Sequence, residues 1–108
     1  MCQDLNHVVL TETEKAQVSW CKGCKNYSVL YNGCCLSFTE KEIAQFKDIL
    51  HQLSDEDYHY NFLHDHYALI KHNGCNMGIA INREDTQQLI MIIHEATSIK
   101  EVFGIIYN

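Results

Sequence analysis

The sequence contains no proline, no long apolar run and no cluster of basic residues, and these absences exclude several classes of protein. The longest apolar run, Leu89 to Ile93, is far shorter than the roughly 20 residues that a membrane span needs. The formal charge is −6 with no Lys/Arg cluster, so we expect no nucleic-acid partner. The N-terminal residues lack the basic and apolar regions of a signal peptide, and we expect a soluble cytoplasmic protein.

Motifs that carry catalysis are also absent from the sequence. It has no Gly-x-Ser-x-Gly nucleophile turn, no glycine loop that could hold phosphate and no His-Glu-x-x-His helix. No nucleophile, base and orienting group can be assembled from the pattern, so we do not expect an enzyme.

What is present is enough for one folded domain. A chain of 108 residues can bury roughly two-thirds of the surface of its unfolded state, so residues 1–108 should form a single unit. A hydrophobic fraction of 46% argues against disorder. The six cysteines of a cytoplasmic chain are expected to be thiols or metal ligands, although an even number could pair in a secreted protein.

The pattern of strands and turns predicts an α+β fold. Residues 7–11 and 16–21 predict an N-terminal hairpin, and the Asn32-Gly33 pair predicts a type I′ turn between strands 27–31 and 34–38. Thr39 and Glu42 form a predicted capping box, followed by helical spacing to about Leu53. This hairpin and helix should pack through their apolar sides.

The second half of the chain repeats that arrangement. At an offset of 43 residues Thr39 aligns with Asn82, and a second Asn-Gly pair, Asn73-Gly74, joins strands 64–72 and 75–81. A helix should run from Asn82 to about residue 96, although residues 89–93 could form a strand on composition alone. We therefore predict duplicated β-hairpin–helix units, about 27–54 and 66–97, with both helices on one antiparallel sheet. The conformations of 58–63 and 99–108 stay open.

The Cys21-x-x-Cys24 motif is the strongest candidate site. Trp20 and Lys25 beside it resemble the thioredoxin motif, but a strand and turn follow instead of a helix, and the cis-proline of that family is absent. A structural zinc site is the better interpretation, with Cys2 and His7 as further candidate ligands. The alternatives are two reduced thiols in a turn and a thiol redox protein that uses Cys21 and Cys24.

Histidines provide a second candidate metal site. His64 and His66 should lie on one face of a strand and, with His59 and His72, could bind a transition metal in a metal-handling protein. The simpler interpretation, which we favour, is a set of half-exposed strand residues without a ligand.

Several of these segments resemble a family of short uncharacterised proteins, found mainly in Bacteroidetes bacteria, that is defined as a domain of unknown function. The resemblance lies in the early Cys2, the Cys21-x-x-Cys24 turn, the hairpin with its Asn-Gly turn, and the Leu36-Ser-Phe-Thr-Glu segment that enters the first helix. The family implies this fold and supplies no activity.

The sequence therefore predicts a small cytoplasmic binding or assembly module. Its partner should be a second copy of itself or another protein, because Ile90 and Met91 add apolar surface to a second helix that is already apolar on one side. A zinc ion at Cys21 and Cys24 is the cofactor considered, and no membrane partner is expected.

Overall fold

The computed structural model describes residues 7–71 and 78–107, with side chains up to residue 102. Within these residues seven strands form two antiparallel sheets, accompanied by two α-helices and one 3-10 turn at Asp55–Asp57. The elements are β1 (His7–Glu12), β2 (Ala16–Cys21), β3 (Asn26–Tyr31), β4 (Cys34–Phe38), α1 (Glu40–Gln52), β5 (Tyr60–Phe62), β6 (Asp65–Lys71), β7 (Gly78–Asn82) and α2 (Arg83–Tyr107).

The first sheet follows the predicted hairpins closely. Its strand order is β1-β2-β3-β4, with each strand paired to the next along the chain. Asn32 and Gly33 both have positive φ, 52° and 87°, as a type I′ turn requires. Tyr31 consequently lies opposite Cys34, so the predicted register of this hairpin is confirmed.

Helix α1 begins at the predicted capping box. The Thr39 side chain accepts a hydrogen bond from the Glu42 backbone N–H at 3.1 Å, and the Glu42 carboxylate accepts one from the Thr39 N–H at 2.9 Å. Ile43, Phe46 and Leu50 are the buried residues of the helix. Phe46 stacks on Phe38 of β4 with ring centroids 4.8 Å apart, which fixes the helix beside the first sheet.

The second sheet has the order β5-β6-β7 and contains a strand that the sequence did not reveal. Strand β5 lies in the region left open and pairs with β6 through a two-residue turn, Leu63-His64. Both turn residues have positive φ, 51° and 65°. Strand β6 therefore begins at Asp65, not at His64.

The pairing of β6 with β7 differs by two residues from the prediction. A two-residue turn at Asn73-Gly74 would place Ile79 opposite Ala68, whereas Ala68 lies opposite Ile81 and Ile70 opposite Ile79. The turn itself lies outside the described residues. Because a shift of two keeps each side chain on its own face of the sheet, Ala68, Ile70, Ile79 and Ile81 still share the inner face as predicted.

Helix α2 is continuous from Arg83 to Tyr107, which excludes the strand alternative for residues 89–93. Leu89, Ile92, Ile93 and Ala96 are buried. The helix packs against β1 and β2 of the first sheet, against α1, and against β7 of the second sheet. Of the two residues that suggested a second subunit, Ile90 packs against the core and Met91 is 60% exposed.

The α+β class is confirmed, whereas the predicted duplication is matched only loosely. Both halves contain a hairpin followed by a helix, but the strands form two separate sheets and not one shared sheet. Helix α1 has 13 residues and α2 has 25. Within residues 7–71 and 78–107, no helix is both long and apolar enough to cross a bilayer.

Replacement of Ile93 by Ala tests the position of α2. The Ile93 side chain is 0% exposed, so its truncation should lower the free energy of unfolding by about 2–5 kcal/mol, measured by urea denaturation. Met91→Ala is the matched control, because Met91 is 60% exposed on the same helix and its truncation should change stability by less than about 0.5 kcal/mol. Equal effects of the two substitutions would contradict this helix orientation.

Candidate functional site

The predicted cysteine site is a tight turn between β2 and β3, which we call the cysteine turn, residues 21–25. Cys21 is the last residue of β2, and the backbone N–H of Cys24 donates a hydrogen bond to the Cys21 sulfur at 3.3 Å. Lys25 has a φ of 60°, which reverses the chain so that β3 can begin at Asn26. A donated N–H stabilises negative charge on sulfur, as a metal ligand requires.

The two cysteines of this turn are in different states. Cys21 is a free thiol whose residue is 2% exposed, whereas Cys24 is disulfide-bonded. They are therefore not bonded to each other. Cys34 and Cys35 are free and exposed, so the expectation of thiols holds for three of these four cysteines and is wrong for Cys24.

His7, one of the proposed zinc ligands, lies at the start of β1. It is the register partner of Cys21 across β1 and β2, and directly opposed residues in an antiparallel pair project from the same face with Cβ atoms about 4.5–5.5 Å apart. Cys2, the other proposed ligand, lies outside the described residues. Within the described ranges, no three His, Cys, Asp or Glu side chains converge closely enough to hold a metal ion.

The histidine pair is not arranged as predicted. His64 occupies the turn between β5 and β6, while His66 lies on β6 opposite Asn61. Alternation along a strand therefore does not apply to His64. His59 contacts the ring of Tyr60 instead, with centroids 4.2 Å apart, and His72 lies outside the described residues.

A polar cluster at the start of α2 was not predicted, and we call it the helix junction: Lys15, Tyr31, Asp65, Asn82 and Asp85. The Tyr31 hydroxyl donates to the Asp85 carboxylate at 2.6 Å, and the Lys15 ammonium lies 3.5 Å from the same carboxylate. The Asn82 side chain accepts from the Asp85 N–H and donates to Asp65, both at 2.8 Å. The junction thereby connects β3 to β6 through the helix start.

Burial of the helix junction changes the chemistry of its tyrosine. Removal from water, followed by the hydrogen bond to Asp85 and its negative charge, raises the pKa of Tyr31 well above its ordinary value. Burial, with smaller contributions from Glu40 and Glu101, raises the pKa of Tyr27 to about 12. Both hydroxyls are therefore held neutral, which suits structural donors better than acid–base groups.

The sequence contained half of the signal for this junction. Asn82 was recognised as a helix cap, and Asp85 aligns with the capping residue Glu42 of the first unit. Nothing in a linear pattern indicates that Tyr31, 54 positions earlier, supplies the partner of Asp85. The contact exists because the two halves meet in three dimensions at the start of α2.

An apolar surface covers the outer face of the second sheet and is defined by the exposed Tyr60, Phe62 and Leu69 together with the partly buried Tyr67. The register places Tyr60 opposite Tyr67, and the rings of Phe62 and Tyr67 are 6.4 Å apart. A groove of about 500 Å³ continues from Tyr60 and Leu69 to Ile49 of α1 and to Leu53, which follows the end of α1. Solvent-facing positions of antiparallel sheets are usually polar, so this face is unusual.

The turn at the end of this face holds Leu63, the most exposed large apolar residue among the side chains that the structure describes. Leu63 is 74% exposed and has positive φ, a conformation that disfavours non-glycine residues by roughly 1–2 kcal/mol. The residue is neither packed nor relaxed, so folding alone does not explain its presence.

Comparisons with known proteins identify a family but no activity. A family model described as Family of unknown function (DUF6686) matches residues 1–106, and the chain belongs to that family. No curated protein and no solved structure matches significantly. Family membership therefore identifies no activity, and the function has to be inferred from the molecule.

Replacement of Tyr31 by Phe tests the helix junction. Removal of the hydroxyl leaves the buried Asp85 carboxylate without its 2.6 Å donor, so the free energy of unfolding should fall by about 1.5–3 kcal/mol in urea denaturation. Tyr60→Phe is the matched control on an exposed ring and should change stability by less than about 0.5 kcal/mol. An unchanged free energy of unfolding in Tyr31→Phe would show that the buried Asp85 carboxylate does not depend on this hydrogen bond.

Alkaline pH should destabilise the fold through the same tyrosines. Because the pKa of each is raised in the folded state above the ordinary 10.0, their contribution is complete below pH 10.0 and is lost as pH rises through the folded values, about 12 for Tyr27. We expect the urea midpoint to fall between about pH 10 and about pH 12, and to fall less in Tyr31→Phe. An identical pH profile for the variant would contradict this assignment.

Proposed function

We propose that this member of DUF6686 is a small protein-binding module without catalytic activity, stabilised by a zinc ion at the cysteine turn in a reducing cytoplasm. The observation that carries the zinc proposal is the hydrogen bond from the Cys24 N–H to the Cys21 sulfur within a tight inter-strand turn. Two sulfurs held on one turn can bind a single ion, since Zn–S bonds are about 2.3 Å long.

His7 supports a third ligand position for the zinc. Its place opposite Cys21 in the register allows the imidazole to approach an ion held by that thiolate, at a Zn–N distance of about 2.0–2.1 Å. Cys2 remains the sequence candidate for the fourth position. In this proposal a dithiol reductant first opens the Cys24 disulfide, and Zn²⁺ then replaces the thiol protons.

Thiol redox chemistry is the second candidate, because Cys24 is disulfide-bonded. Exchange with a substrate requires an accessible thiolate, and Cys21 is only 2% exposed. A redox pair of this spacing would also be expected to close a disulfide between Cys21 and Cys24, and the two are not joined. The burial of Cys21 favours a structural role for the turn.

A metal-handling role through His64 and His66 has less support. The two residues lie on different parts of the hairpin, one in its turn and one on β6, and both are exposed. Metal sites that hold ions tightly have ligands oriented by further hydrogen bonds. The histidines are better explained as polar residues beside a binding surface.

The binding role rests on surfaces outside the cysteine turn. On the part of α2 whose side chains are described, residues 83–102, Met91 and Val102 are the exposed large apolar residues, and these two alone offer little area for self-association. The outer face of the second sheet is the larger apolar surface. A partner protein at this face is therefore the preferred form of the proposal over a dimer through α2.

Zinc content and thermal stability test the proposed metal site. Protein purified under a phosphine reductant should contain one zinc ion per chain, and chelation should lower the melting temperature by about 10 °C or more. Cys24→Ser should abolish zinc retention. Cys35→Ser is the matched control, because Cys35 is a free exposed thiol away from the turn, and it should retain zinc.

The same measurement separates zinc from the other thiol chemistry. Metal-free reduced protein with an unchanged melting temperature after chelation would overturn the zinc proposal. Rapid reaction of the Cys21 thiol with a disulfide reagent in that protein would favour the redox candidate. Slow reaction would disfavour it, and the Cys24 disulfide would then have a structural role only.

A further inference from the structure

The outer face of the second sheet has the composition of a contact surface. Tyr60 and Leu69 are half-exposed, and Phe62 is 66% exposed, on a sheet whose inner face already supplies Ala68 and Ile81 to the core. Large apolar side chains on this second face add nothing to that core. Aromatic residues of this kind are enriched where proteins bind one another.

The Leu63-His64 turn at the end of this face places an apolar residue at a position where other residue types would make the turn more stable. The turn at Asn32-Gly33 uses residue types that tolerate positive φ, and His64 also belongs to a type found there, whereas Leu63 adopts positive φ without that tolerance. An isolated leucine in such a turn is unfavourable for folding. A partner protein that buries the Leu63 side chain would explain why leucine occupies this turn.

Charge restricts what that partner can be. Residues 54–66 contain four carboxylates, Asp55, Glu56, Asp57 and Asp65, and no lysine or arginine. Two cations border the region: Arg83 is paired with Asp55 at 3.4 Å, and Lys71 lines the groove beside Asp57. The carboxylates outnumber these cations, so the surface carries negative charge.

Three kinds of occupant fit this charge poorly. Anionic membrane surfaces and nucleic acids would be repelled by the carboxylates. A second copy paired by twofold symmetry would bring the same acidic segment against itself. A protein whose apolar pocket is bordered by Lys and Arg would satisfy both the apolar side chains and their acidic surroundings.

We propose that the outer face and the Leu63-His64 turn form a docking surface for a partner protein with an apolar pocket bordered by basic side chains. Leu63 and Phe62 insert into the pocket, and the carboxylates of residues 54–66 contact its rim. This inference deepens the proposed binding role and is independent of the zinc site.

The test uses two synthetic helical-hairpin peptides with the same leucine-lined groove between their helices, one with lysines and the other with glutamates at the same positions on the rim. Titration into the isotope-labelled full-length protein, followed by amide chemical shifts, should show the lysine peptide binding at least about tenfold more tightly. Shift changes should centre on residues 60–69. Added salt should weaken this binding, since charge contributes to it.

The double variant Leu63→Asn/His64→Gly separates binding from folding. Asn-Gly suits the turn, so the melting temperature should rise by about 4–8 °C while affinity for the lysine peptide falls at least about tenfold. Met91→Gln is the control, because it removes an exposed apolar side chain from α2 and should leave affinity unchanged.

Four outcomes would overturn the proposal. They are equal binding of both peptides, binding of neither, binding of phosphatidylserine vesicles through the same residues, and self-association that the turn variant abolishes. The zinc measurements are independent of this test. Failure of the docking proposal would therefore leave the zinc proposal intact, and failure of the zinc proposal would leave the docking proposal intact.

Discussion

The buried bond between Tyr31 and Asp85 is the contact on which the arrangement of the two halves depends. Asp85 lies in the first turn of α2, where a carboxylate is favoured by the helix dipole, and Asn82 caps the same turn while binding Asp65 of β6. A change at this junction therefore reaches both sheets. The apolar contacts of α2 provide most of the burial, but they are less directional than this hydrogen-bonded connection.

Local signals were enough to predict the first half of the fold. Asn32-Gly33 determines a turn type, the turn determines the register, and Thr39 with Glu42 determines the helix start. Each of these features involves residues that are close in sequence. The same reasoning placed His7 beside Cys21, since a hairpin brings the two strand ends together. No local pattern distinguishes the disulfide-bonded Cys24 from the free thiol of Cys21.

The structure differs from the local pattern where tertiary contacts or an unusual turn outweigh local preference. Strand β5 is three residues long and is followed by Leu63-His64, which no turn rule would select. Tyr31 alternates like any apolar strand residue, so its pairing with Asp85 was invisible in the pattern. Two separate sheets form because α2 packs against both, and a continuous sheet would have left its second apolar side in water. The surface that most resembles a binding site thus lies in the segment that sequence rules described worst.

The two sheets are connected at the helix junction. The Tyr31–Asp85 and Asn82–Asp65 hydrogen bonds connect β3 to β6, and the second sheet presents apolar side chains to solvent. Native-state hydrogen exchange of β3 and β6 amides tests this connection most directly. We predict one common opening free energy for both strands, lowered equally in both by Tyr31→Phe. Independent opening of β6, or an effect of the substitution confined to β3, would contradict the account.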